Sequence, residues 1–583
     1  MYGPTVPFSE EIHANKYRGP GETFRDSCSR IASALQDNDA HYHAFRDIQL
    51  NMRFMAAGRV QAAMGSIREV TPYNCFVSGV IEDSFVDDEG HIMQRATEAA
   101  RTMRLGGGIG YDFSTLRPRG DMIKTLQSRS TGPVSFMDIY DAVCRCIASS
   151  GHRRGAQMGV LRIDHPDIEE FINAKQNSDQ LTGFNISIAV TDEFMNCLRT
   201  GKPFKLEWGG QVYREVNAEA LWEQIMRSTY DWAEPGVLFI DTINRMNNLW
   251  YCEKIAATNP CGEQPLPPFG ACLLGSFNLT KYLKQTPAGY EIDYDQLGAD
   301  IPHVVRAMDN VVDRAKFPMD EQKEEALNKR RMGLGATGVA NALEACGYPY
   351  GSTGFLEMQD KVLGFINEQC YWASVELAKE KGPFPLFDAG KYCHSWFIRT
   401  LSPELQEAIH TYGIRNSHLT SIAPTGTISL SMDNVSSGIE PVFAYSFDRT
   451  VHKDHNVSVE TVEDYGYSVL NTKGRKTADV TVAQHLNVLS LAQRHVDSAV
   501  SKTCNVPSDI SWEDFKMVYV TAWENGCKGI TTFRSGGKRG GILVAKEDDT
   551  ADEQEDVIGV ASEPEEPATA CYLDPVTGRR ECA

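Results

Sequence analysis

The residues with the clearest chemical potential are Asn259, Cys261 and Glu263. They alternate along a segment in which Pro260 and Gly262 disfavour helix. In an extended segment the three side chains would project to one side, so an amide, a thiol and a carboxylate would share one site. A negative neighbour and apolar surroundings both disfavour a thiolate, which argues against nucleophilic or metal-binding chemistry. We therefore expect a neutral thiol that donates or accepts a hydrogen atom.

The same segment resembles a known family. Residues 259–266 read Asn-Pro-Cys-Gly-Glu-Gln-Pro-Leu, and residues 272–279 read Cys-Leu-Leu-Gly-Ser-Phe-Asn-Leu. Together they resemble the finger loop of the catalytic subunit of ribonucleotide reductase, most of all in its adenosylcobalamin-dependent class. The resemblance implies that Cys261 holds a transient thiyl radical, which removes the 3′ hydrogen of the ribose. Glu263 would accept the 3′ hydroxyl proton, and Asn259 would hydrogen-bond the substrate.

Two further cysteines complete the chemistry that the resemblance implies. Cys75 lies in an apolar and aromatic stretch, residues 73–77, that predicts a short strand. This stretch resembles the first barrel strand of the family. By that match Cys75 and Cys272 reduce the substrate radical and end as a disulfide. Without the resemblance, a single cysteine in a strand would be interpreted as a packing residue.

Three segments are candidates for substrate binding. The glycine triplet within residues 104–113 lets backbone approach a ligand closely, although a flexible loop gives the same pattern. Residues 181–190 predict a strand with Asn185 and Ser187 on one face, and the alternative is a solvated polar face. Residues 421–429 predict a strand turning into a helix whose amides and hydroxyls can hold phosphate. The resemblance implies substrate contacts for Asn74, Gly106, Gly107, Gly108, Asn185, Ser187, Pro424, Thr425, Gly426, Thr427 and Ser429.

Residues 149–161 combine two guanidinium groups with several glycines on an otherwise acidic chain. This composition suits phosphate binding. The segment resembles the region around the first specificity loop of the family. Arg153 and Arg154 are therefore expected to bind a nucleoside triphosphate effector.

Composition narrows the class of protein. The formal charge of −21 over 583 residues argues against nucleic acid or an anionic membrane as a partner. The fifteen cysteines are scattered and odd in number, which suits a reducing compartment. No apolar run approaches the roughly 18 residues of a membrane span, so we expect a cytoplasmic protein.

The chain divides into three expected regions. Residues 1–70 predict a helical segment that lacks the motif of an ATP-binding cone, residues 71–545 the catalytic barrel, and residues 546–583 an acidic disordered tether with a cysteine tail. Cys571 and Cys582 in that tail could reduce the active-site disulfide by exchange and be reset by a thioredoxin- or glutaredoxin-like donor. The alternative is a solvated tail with incidental cysteines. Apolar residues spaced by three and four predict amphipathic helices over 217–233 and 302–316. We expect residues 330–335 and a helix over 360–381 to belong to the scaffold.

Residues 523–534 bear on the source of the radical. Relatives that depend on a separate metal-containing subunit carry adjacent tyrosines in the last barrel strand, whereas this chain has Thr532-Phe533-Arg534. Phenylalanine has no phenolic proton to give up. The lead Gly526-Cys527-Lys528-Gly529 resembles the cobalamin-dependent class, whose usual residue at position 533 is tyrosine. A separate radical-generating subunit therefore stays open as an alternative.

The resemblance covers about residues 50–545 and implies an α/β fold, a ten-stranded barrel of two five-stranded halves with Cys261 on a central finger loop. It implies reduction of ribonucleotides to 2′-deoxyribonucleotides, with adenosylcobalamin and nucleoside triphosphate effectors. It leaves a monomer and a homodimer open. A glycyl-radical enzyme of similar fold would need an Arg-Val-x-Gly-aromatic segment near the C-terminus, and the sequence has none. The remaining alternative is a regulatory protein that binds nucleotides without catalysis. The joint presence of the five finger-loop and dithiol residues argues against it.

Overall fold

Ten strands of one mixed sheet organise the computed structural model, which describes residues 2–149, 153–154, 156–176, 180–453, 456–538, 544–545, 572–573 and 580–581. In chain order the strands are β1 (Phe54–Ala56), β2 (Cys75–Val77), β3 (Gly108–Asp112), β4 (Gln157–Arg162), β5 (Phe184–Val190), β6 (Gly236–Phe239), β7 (Ala271–Asn278), β8 (Met332–Thr337), β9 (Thr503–Val506) and β10 (Gly529–Arg534). They pair in the order β1-β7-β2-β3-β4-β5-β6-β10-β9, and β8 pairs with β7. The predicted α/β class with a large sheet is confirmed.

Strand direction divides the sheet into two sets. Strands β2 to β6 are parallel neighbours, and β7 with β8 and β9 with β10 are parallel pairs. The sets meet through antiparallel pairs, β2 with β7 and β6 with β10. Isolated parallel bridges join Leu334 to Thr420 and Ile422 to Val500. Residues 420–422 thus run between β8 and the segment that leads into β9.

The two faces of the sheet have different partners, as β7 shows. Ala271 and Leu273 belong to the large hydrophobic core shared with the helices, whereas Cys272 and Leu274 belong to a smaller buried cluster on the other face. This alternation follows from the two-residue period of a strand. Polar residues at alternate strand positions therefore meet on the second face, away from the helices.

Helices that share the large core cover the first face, whereas Ile240 and Ile243, in the helix Ile240–Arg245, belong to the cluster on the second face. The bounds are α1 Pro7–Tyr17, α2 Phe24–Leu35, α3 Asp39–Leu50, α4 Gly58–Ala63, α5 Ile92–Arg104, α6 Pro133–Cys146, α7 Ile168–Asn173, α8 Asp192–Thr200, α9 Ala218–Trp232, α10 Ile240–Arg245, α11 Tyr294–Arg314, α12 Asp320–Lys329, α13 Val339–Ala345, α14 Thr353–Lys381, α15 Ala389–Tyr392, α16 Pro403–Tyr412, α17 Gly426–Leu430, α18 Tyr465–Ser468, α19 Val482–Arg494 and α20 Trp512–Glu524. In the described part of the chain, none of these is both long and apolar enough to cross a membrane.

The periodicity of residues 302–316 predicts only the second half of α11. The helix begins at Tyr294 because Asp293 caps it, its side chain accepting a hydrogen bond from Gln296 N at 3.1 Å. Such a cap satisfies an amide that has no partner within the first turn. Pro302 lies inside the helix without ending it.

The N-terminal helices pack against α17 and the segment that follows it. Tyr17, Phe24 and Cys28 share a buried cluster with Ile428 and Met432. Asp433, 2% exposed, accepts hydrogen bonds from the amides of residues 5 and 6 at 2.7 and 3.0 Å. The N-terminal helical segment thus packs against the region that is predicted to bind the substrate phosphate and stabilises it.

Candidate active site

The finger loop is a β-hairpin with a tight tip. Short antiparallel strands Ala257–Thr258 and Pro265–Leu266 form its stem. At the tip Asn259 N donates to Gln264 O at 3.1 Å, and Gln264 N donates to the side-chain oxygen of Asn259 at 2.9 Å. Gly262 adopts a positive φ of 81°, which side chains disfavour. The expectation of an extended segment is therefore wrong at the tip, because these hydrogen bonds fold residues 259–264 back on themselves.

The folded tip brings an amide and a carboxylate to Cys75. Asn259 Nδ2 donates to Cys75 Sγ at 3.1 Å, and the Cys75 thiol donates to Glu263 Oε1 at 3.8 Å. All three side chains are at most 3% exposed. The structure thus joins residues that are 184 and 188 positions apart in the chain.

Cys75 and Cys272 face each other across β2 and β7. They are direct Cα partners of an antiparallel pair, so their side chains lie on the same face. Val77 N donates to Gly270 O two positions away, which places the two cysteines at a hydrogen-bonded pair with a typical Cα separation of about 5.5 Å. Both are free thiols. Disulfides commonly span that separation, so the pair is placed for reversible oxidation.

Cys261 lies on the other side of the hairpin tip. It contacts Ala156 and lines a cavity together with Ser187 of β5, Val237 of β6 and Thr531 of β10. Its side chain is 3% exposed. Cys261 is disulfide-bonded in the structure, and hydrogen-atom chemistry at this sulfur requires the reduced thiol.

The polar residues of β5 face this site. Asn185 Nδ2 donates to Pro260 O at 3.1 Å, so it holds the finger loop directly, and Ser187 lines the Cys261 cavity. Asn185 is 8% exposed and Ser187 2% exposed. A solvated polar face, the alternative considered for this strand, is therefore excluded.

The glycine triplet is buried and packed against the chain itself. Gly108 N donates to Asn74 O at 2.8 Å, which continues the pairing of β2 and β3. A Cβ at Gly107 would lie 2.5 Å from the Phe76 ring, and one at Gly108 would lie 3.0 Å from Pro260 Cγ. A flexible loop is excluded, and the absence of side chains lets the finger loop come close. Asn74 Oδ1 is buried and has no hydrogen-bond partner among the described residues.

The predicted phosphate loop is a cluster of hydroxyls ahead of a short helix. Thr425 Oγ1 lies 2.9 Å from both Thr337 Oγ1 and Ser429 Oγ. Gly438 N donates to Thr425 Oγ1 at 2.7 Å. The helix spans only Gly426–Leu430, so its dipole is small, and its first amides have no partner within the helix. Pro424, Gly426 and Thr427 are partly exposed, which leaves this turn accessible to a ligand.

A buried lysine, not predicted from the sequence to have a role in the site, supports the finger loop from the position just before β10. Lys528 Nζ donates to Asp497 O and Ser498 O, each at 2.6 Å, and the neighbouring Ala499 N donates to Glu263 O at 3.0 Å. Burial lowers the pKa of Lys528 to about 8 and raises that of Asp497 to about 6. The Asp497 carboxylate in turn accepts from Leu419 N, Thr420 N and Tyr371 Oη. These hydrogen bonds therefore connect three parts of the site: the residue before β10, the backbone of Glu263, and residues 419–420, which precede the phosphate loop.

The structure gives less information on the residues predicted for effector binding and for the thiol relay. The backbone of Arg153–Arg154 pairs with that of Ala148–Ser149, and effector binding by Arg153 and Arg154 stays a prediction. Cys571 and Cys582 are outside the described residues, so the thiol relay also stays a prediction. Across the described ranges, no group of three or more His, Cys, Asp or Glu side chains could hold a metal ion.

Comparison with known proteins agrees with this geometry. The family model described as "Ribonucleotide reductase, barrel domain" matches residues 73–533. A protein named vitamin B12-dependent ribonucleoside-diphosphate reductase from Mycobacterium tuberculosis (strain CDC 1551 / Oshkosh) is 36% identical over 80% of this chain and 68% of its own length. One of the same name from Thermoplasma acidophilum is 36% identical over 81% of this chain and 62% of its own length. A ribonucleoside-diphosphate reductase subunit alpha from Chlamydia pneumoniae is 25% identical over 77% of this chain and 46% of its own length.

The family match covers the finger loop, the dithiol strands and the phosphate loop together, and it confirms the resemblance inferred from those motifs. The chain belongs to the ribonucleotide reductase family.

Proposed function

We propose that this chain reduces ribonucleotides, as diphosphates, to 2′-deoxyribonucleotides by radical chemistry. The observation that carries the proposal is the convergence of Asn259 and Glu263 on Cys75, with Cys272 directly opposite. Diphosphate as the substrate form rests on the names of the relatives from M. tuberculosis and T. acidophilum. The phosphate loop holds the substrate through the hydroxyls of residues 425–429 and the amides at the start of α17.

Each residue of the site has a distinct part. The Cys261 radical takes the 3′ hydrogen atom of the ribose, and Glu263 accepts the 3′ hydroxyl proton. The 2′ oxygen then leaves as water. Cys75 and Cys272 supply two electrons and two protons and become a disulfide. One proton leaves with the 2′ hydroxyl as water, and the other ends in the new carbon–hydrogen bond at the 2′ carbon. The hydrogen atom finally returns from Cys261 to the 3′ carbon. Complete burial raises the pKa of Cys272 well above its ordinary value, which keeps the resting thiol protonated for this step.

The residues around Cys261 fit adenosylcobalamin better than a tyrosine relay. Strand β10 lines the Cys261 cavity with Gly529, Ile530 and Thr531, and its remaining residues include no tyrosine. Ser501 and Thr531 line the same cavity and would face the cofactor. Adenosylcobalamin, when bound, supplies the radical that removes the hydrogen atom from the Cys261 thiol. A separate radical-generating subunit, which the word "subunit" in the name of the C. pneumoniae relative suggests for that protein, is the second candidate.

The described strands support a closed barrel. The parallel bridges of residues 420–422 to Leu334 and Val500 would make this segment the missing strand between β8 and β9. Strands β2 to β6 then form one parallel half, and β7, β8, residues 420–422, β9 and β10 form the other. A closed wall around the finger loop would exclude water, which radical intermediates require.

The remaining partners are part of the same proposal. A thioredoxin- or glutaredoxin-like protein resets the dithiol through Cys571 and Cys582, and a nucleoside triphosphate bound by Arg153 and Arg154 selects the base. A homodimer is consistent with such regulation.

Turnover of the purified full chain tests the proposal. Each ribonucleoside diphosphate and triphosphate is incubated with dithiothreitol and effectors, with and without adenosylcobalamin and without a second subunit. We expect deoxynucleotide only with the cofactor, faster from diphosphates, and none from Cys261→Ser although that variant still binds nucleotide. Turnover by Cys261→Ser would refute the assigned radical site. Silence of the wild-type chain, with nucleotide binding intact, would favour the separate subunit.

A further inference from the structure

A buried arginine lies beside the dithiol. Leu273 of β7 pairs with Met332 of β8 in parallel register, so the preceding residues, Cys272 and Arg331, are the next neighbours across the two strands. Because Cys75 pairs with Cys272 on the opposite side, the three residues form one row across the sheet. Arg331 is 3% exposed and fully enclosed by protein. The sequence alone assigned it to the scaffold.

The glycine that follows on the same face of β8 fixes this placement. A Cβ at Gly333 would lie 2.3 Å from Gln264 Nε2 of the finger loop and 2.4 Å from Ser421 Oγ. Met332 and Leu334 instead belong to the core under the helices. By the two-residue period of a strand, the side chain of Arg331 shares the face of the active site.

Arg331 is held by a compact charged cluster. Its guanidinium pairs with Glu253, and its Nε lies 3.6 Å from Glu325 Oε1. Lys329 Nζ bridges the same two carboxylates at 2.9 and 3.0 Å. Arg331 Nη1 also lies 3.2 Å from His418 Nδ1. The two cations and two anions of the cluster balance in charge, and Arg331 is the member that lies in register with Cys272.

Charged groups shift the pKa of the Cys272 thiol in both directions. Burial raises the pKa of its thiol, the Arg331 guanidinium opposes that rise, and Asp497, Glu263 and Glu325 add to it. Arg331 is therefore the cation that favours a thiolate at Cys272, and its own pKa is raised above the ordinary value. An ion pair of this kind is strong only where water is excluded, as it is here.

We propose that Arg331 is a positioning residue for the redox cycle, stabilising the Cys272 thiolate that leaves when the Cys75–Cys272 disulfide is reduced. This inference rests on the proposed function. A thiolate of the dithiol reductant attacks Cys75 Sγ, the S–S bond breaks, and its electron pair leaves on Cys272 Sγ. The second reductant thiol resolves the mixed disulfide, the reductant becomes a disulfide, and its two protons end on Cys75 and Cys272.

Attack at Cys75 and departure of Cys272 follow from the site. Cys75 contacts the side chains of the finger-loop tip, where substrate must bind, whereas Cys272 is completely buried against β8. A better stabilised leaving thiolate speeds exchange. Hydrogen-atom chemistry in the forward reaction needs no thiolate, so Arg331 acts on the recycling step.

Two variants with opposite expected effects on the rate of thiol–disulfide exchange test the inference. The full chain and its Arg331→Gln, Glu325→Gln and Arg330→Gln variants are oxidised either by one round of ribonucleotide reduction without reductant or by diamide. Dithiothreitol is then added, and the return of the Cys75 and Cys272 thiols is followed by alkylation and peptide mass spectrometry between pH 6.5 and 8.5. We expect Arg331→Gln to slow the exchange roughly tenfold and Glu325→Gln to accelerate it. Arg330, whose ion pairs are with Asp309 and Asp313 instead, is the matched control and should leave the rate within about twofold.

The outcomes separate the inference from the proposed function. Equal slowing by Arg331→Gln and Glu325→Gln would mark a structural cluster and overturn the inference, as would an unchanged rate in Arg331→Gln. If Arg331→Gln does not fold, an unchanged or slower rate in Glu325→Gln has the same consequence. Failure of the wild-type chain to make deoxynucleotide would instead refute the proposed function, and the diamide-oxidised samples still measure the effect of Arg331.

Discussion

Replacement of Gly110 by alanine tests whether the position of the finger loop sets activity. A Cβ at Gly110 of β3 would lie 1.8 Å from Thr258 O and 2.9 Å from Thr258 C in the stem of the hairpin. Non-bonded heavy atoms settle near about 3.5 Å, so the hairpin must retreat by more than about 1 Å. The obstacle is backbone, which has no rotamer to relieve it. The substitution therefore moves Asn259, Cys261 and Glu263 together.

The expected cost in activity exceeds the cost in stability. Overpacking of this kind costs about 1–3 kcal/mol in the free energy of unfolding. A displacement of about 1 Å at reacting groups costs about a hundredfold in rate. We expect Gly110→Ala to reduce deoxynucleotide formation about a hundredfold at saturating substrate, while thermal denaturation shows a folded protein.

Gly159→Ala is the matched control. It makes the same change on the neighbouring strand β4, where the Cβ would meet Met137 Cε at 2.6 Å, the far end of a flexible side chain in the core under the helices. Met137 can rotate away, so the control should keep activity within about twofold. Activity of Gly110→Ala within about threefold of the wild type, or equal losses in both variants, would refute the reasoning.

Three other variants examine the remaining parts of the site. Thr425→Val removes the hydroxyl that accepts from Gly438 N; we expect KM for the ribonucleotide to rise about tenfold with kcat nearly unchanged, and a fall in kcat alone would contradict phosphate binding. Cys272→Ser should bind nucleotide normally and form no deoxynucleotide, and steady product formation would show that another thiol pair supplies the electrons. Lys528→Met removes a group whose pKa is lowered from 10.5 to about 8; because the unfolded chain binds more protons between those values, the lysine's contribution to stability rises with pH through this window. Chemical denaturation from pH 7.5 to 10.5 should therefore show that the free energy of unfolding of the wild type rises relative to that of the variant. A difference that stays constant with pH would contradict the burial of the charge.

Motifs contiguous in the chain were sufficient to predict the family and to single out Asn259, Cys261 and Glu263 as candidates. The run from Asn259 to Leu266 and the run from Ser421 to Ser429 each hold several interacting residues within one turn, so local spacing encodes the chemistry. The helices around 217–233 and 360–381 were likewise evident, because an amphipathic period is a local property. The bounds of α11 were not, since a capping residue outside the apolar pattern sets its start.

The predictions that failed or were missing depend on contacts between distant segments. The tip of the finger loop is folded rather than extended because hydrogen bonds between Asn259 and Gln264 outweigh the alternating pattern. Gly110 carried a weak signal, because a glycine within a strand often marks a close backbone approach. Its partner, the carbonyl of Thr258, is 148 residues away, and sequence offers no way to find it.

The sequence by itself determined which side chains can do chemistry here, because thiol, carboxylate and amide groups have fixed reactivity and the motifs keep them in order. Only the tertiary structure decided which of them meet, and which neighbours tune them. Nothing in the sequence distinguishes Arg331 from the other cationic residues of the chain. It becomes a neighbour of Cys272 only because β8 pairs with β7 in one particular register. Lys528 gains its lowered pKa only by complete burial beneath the finger loop. Both effects arise from exclusion of water and from proximity in space, and neither quantity is a property of the residue or of its sequence neighbours.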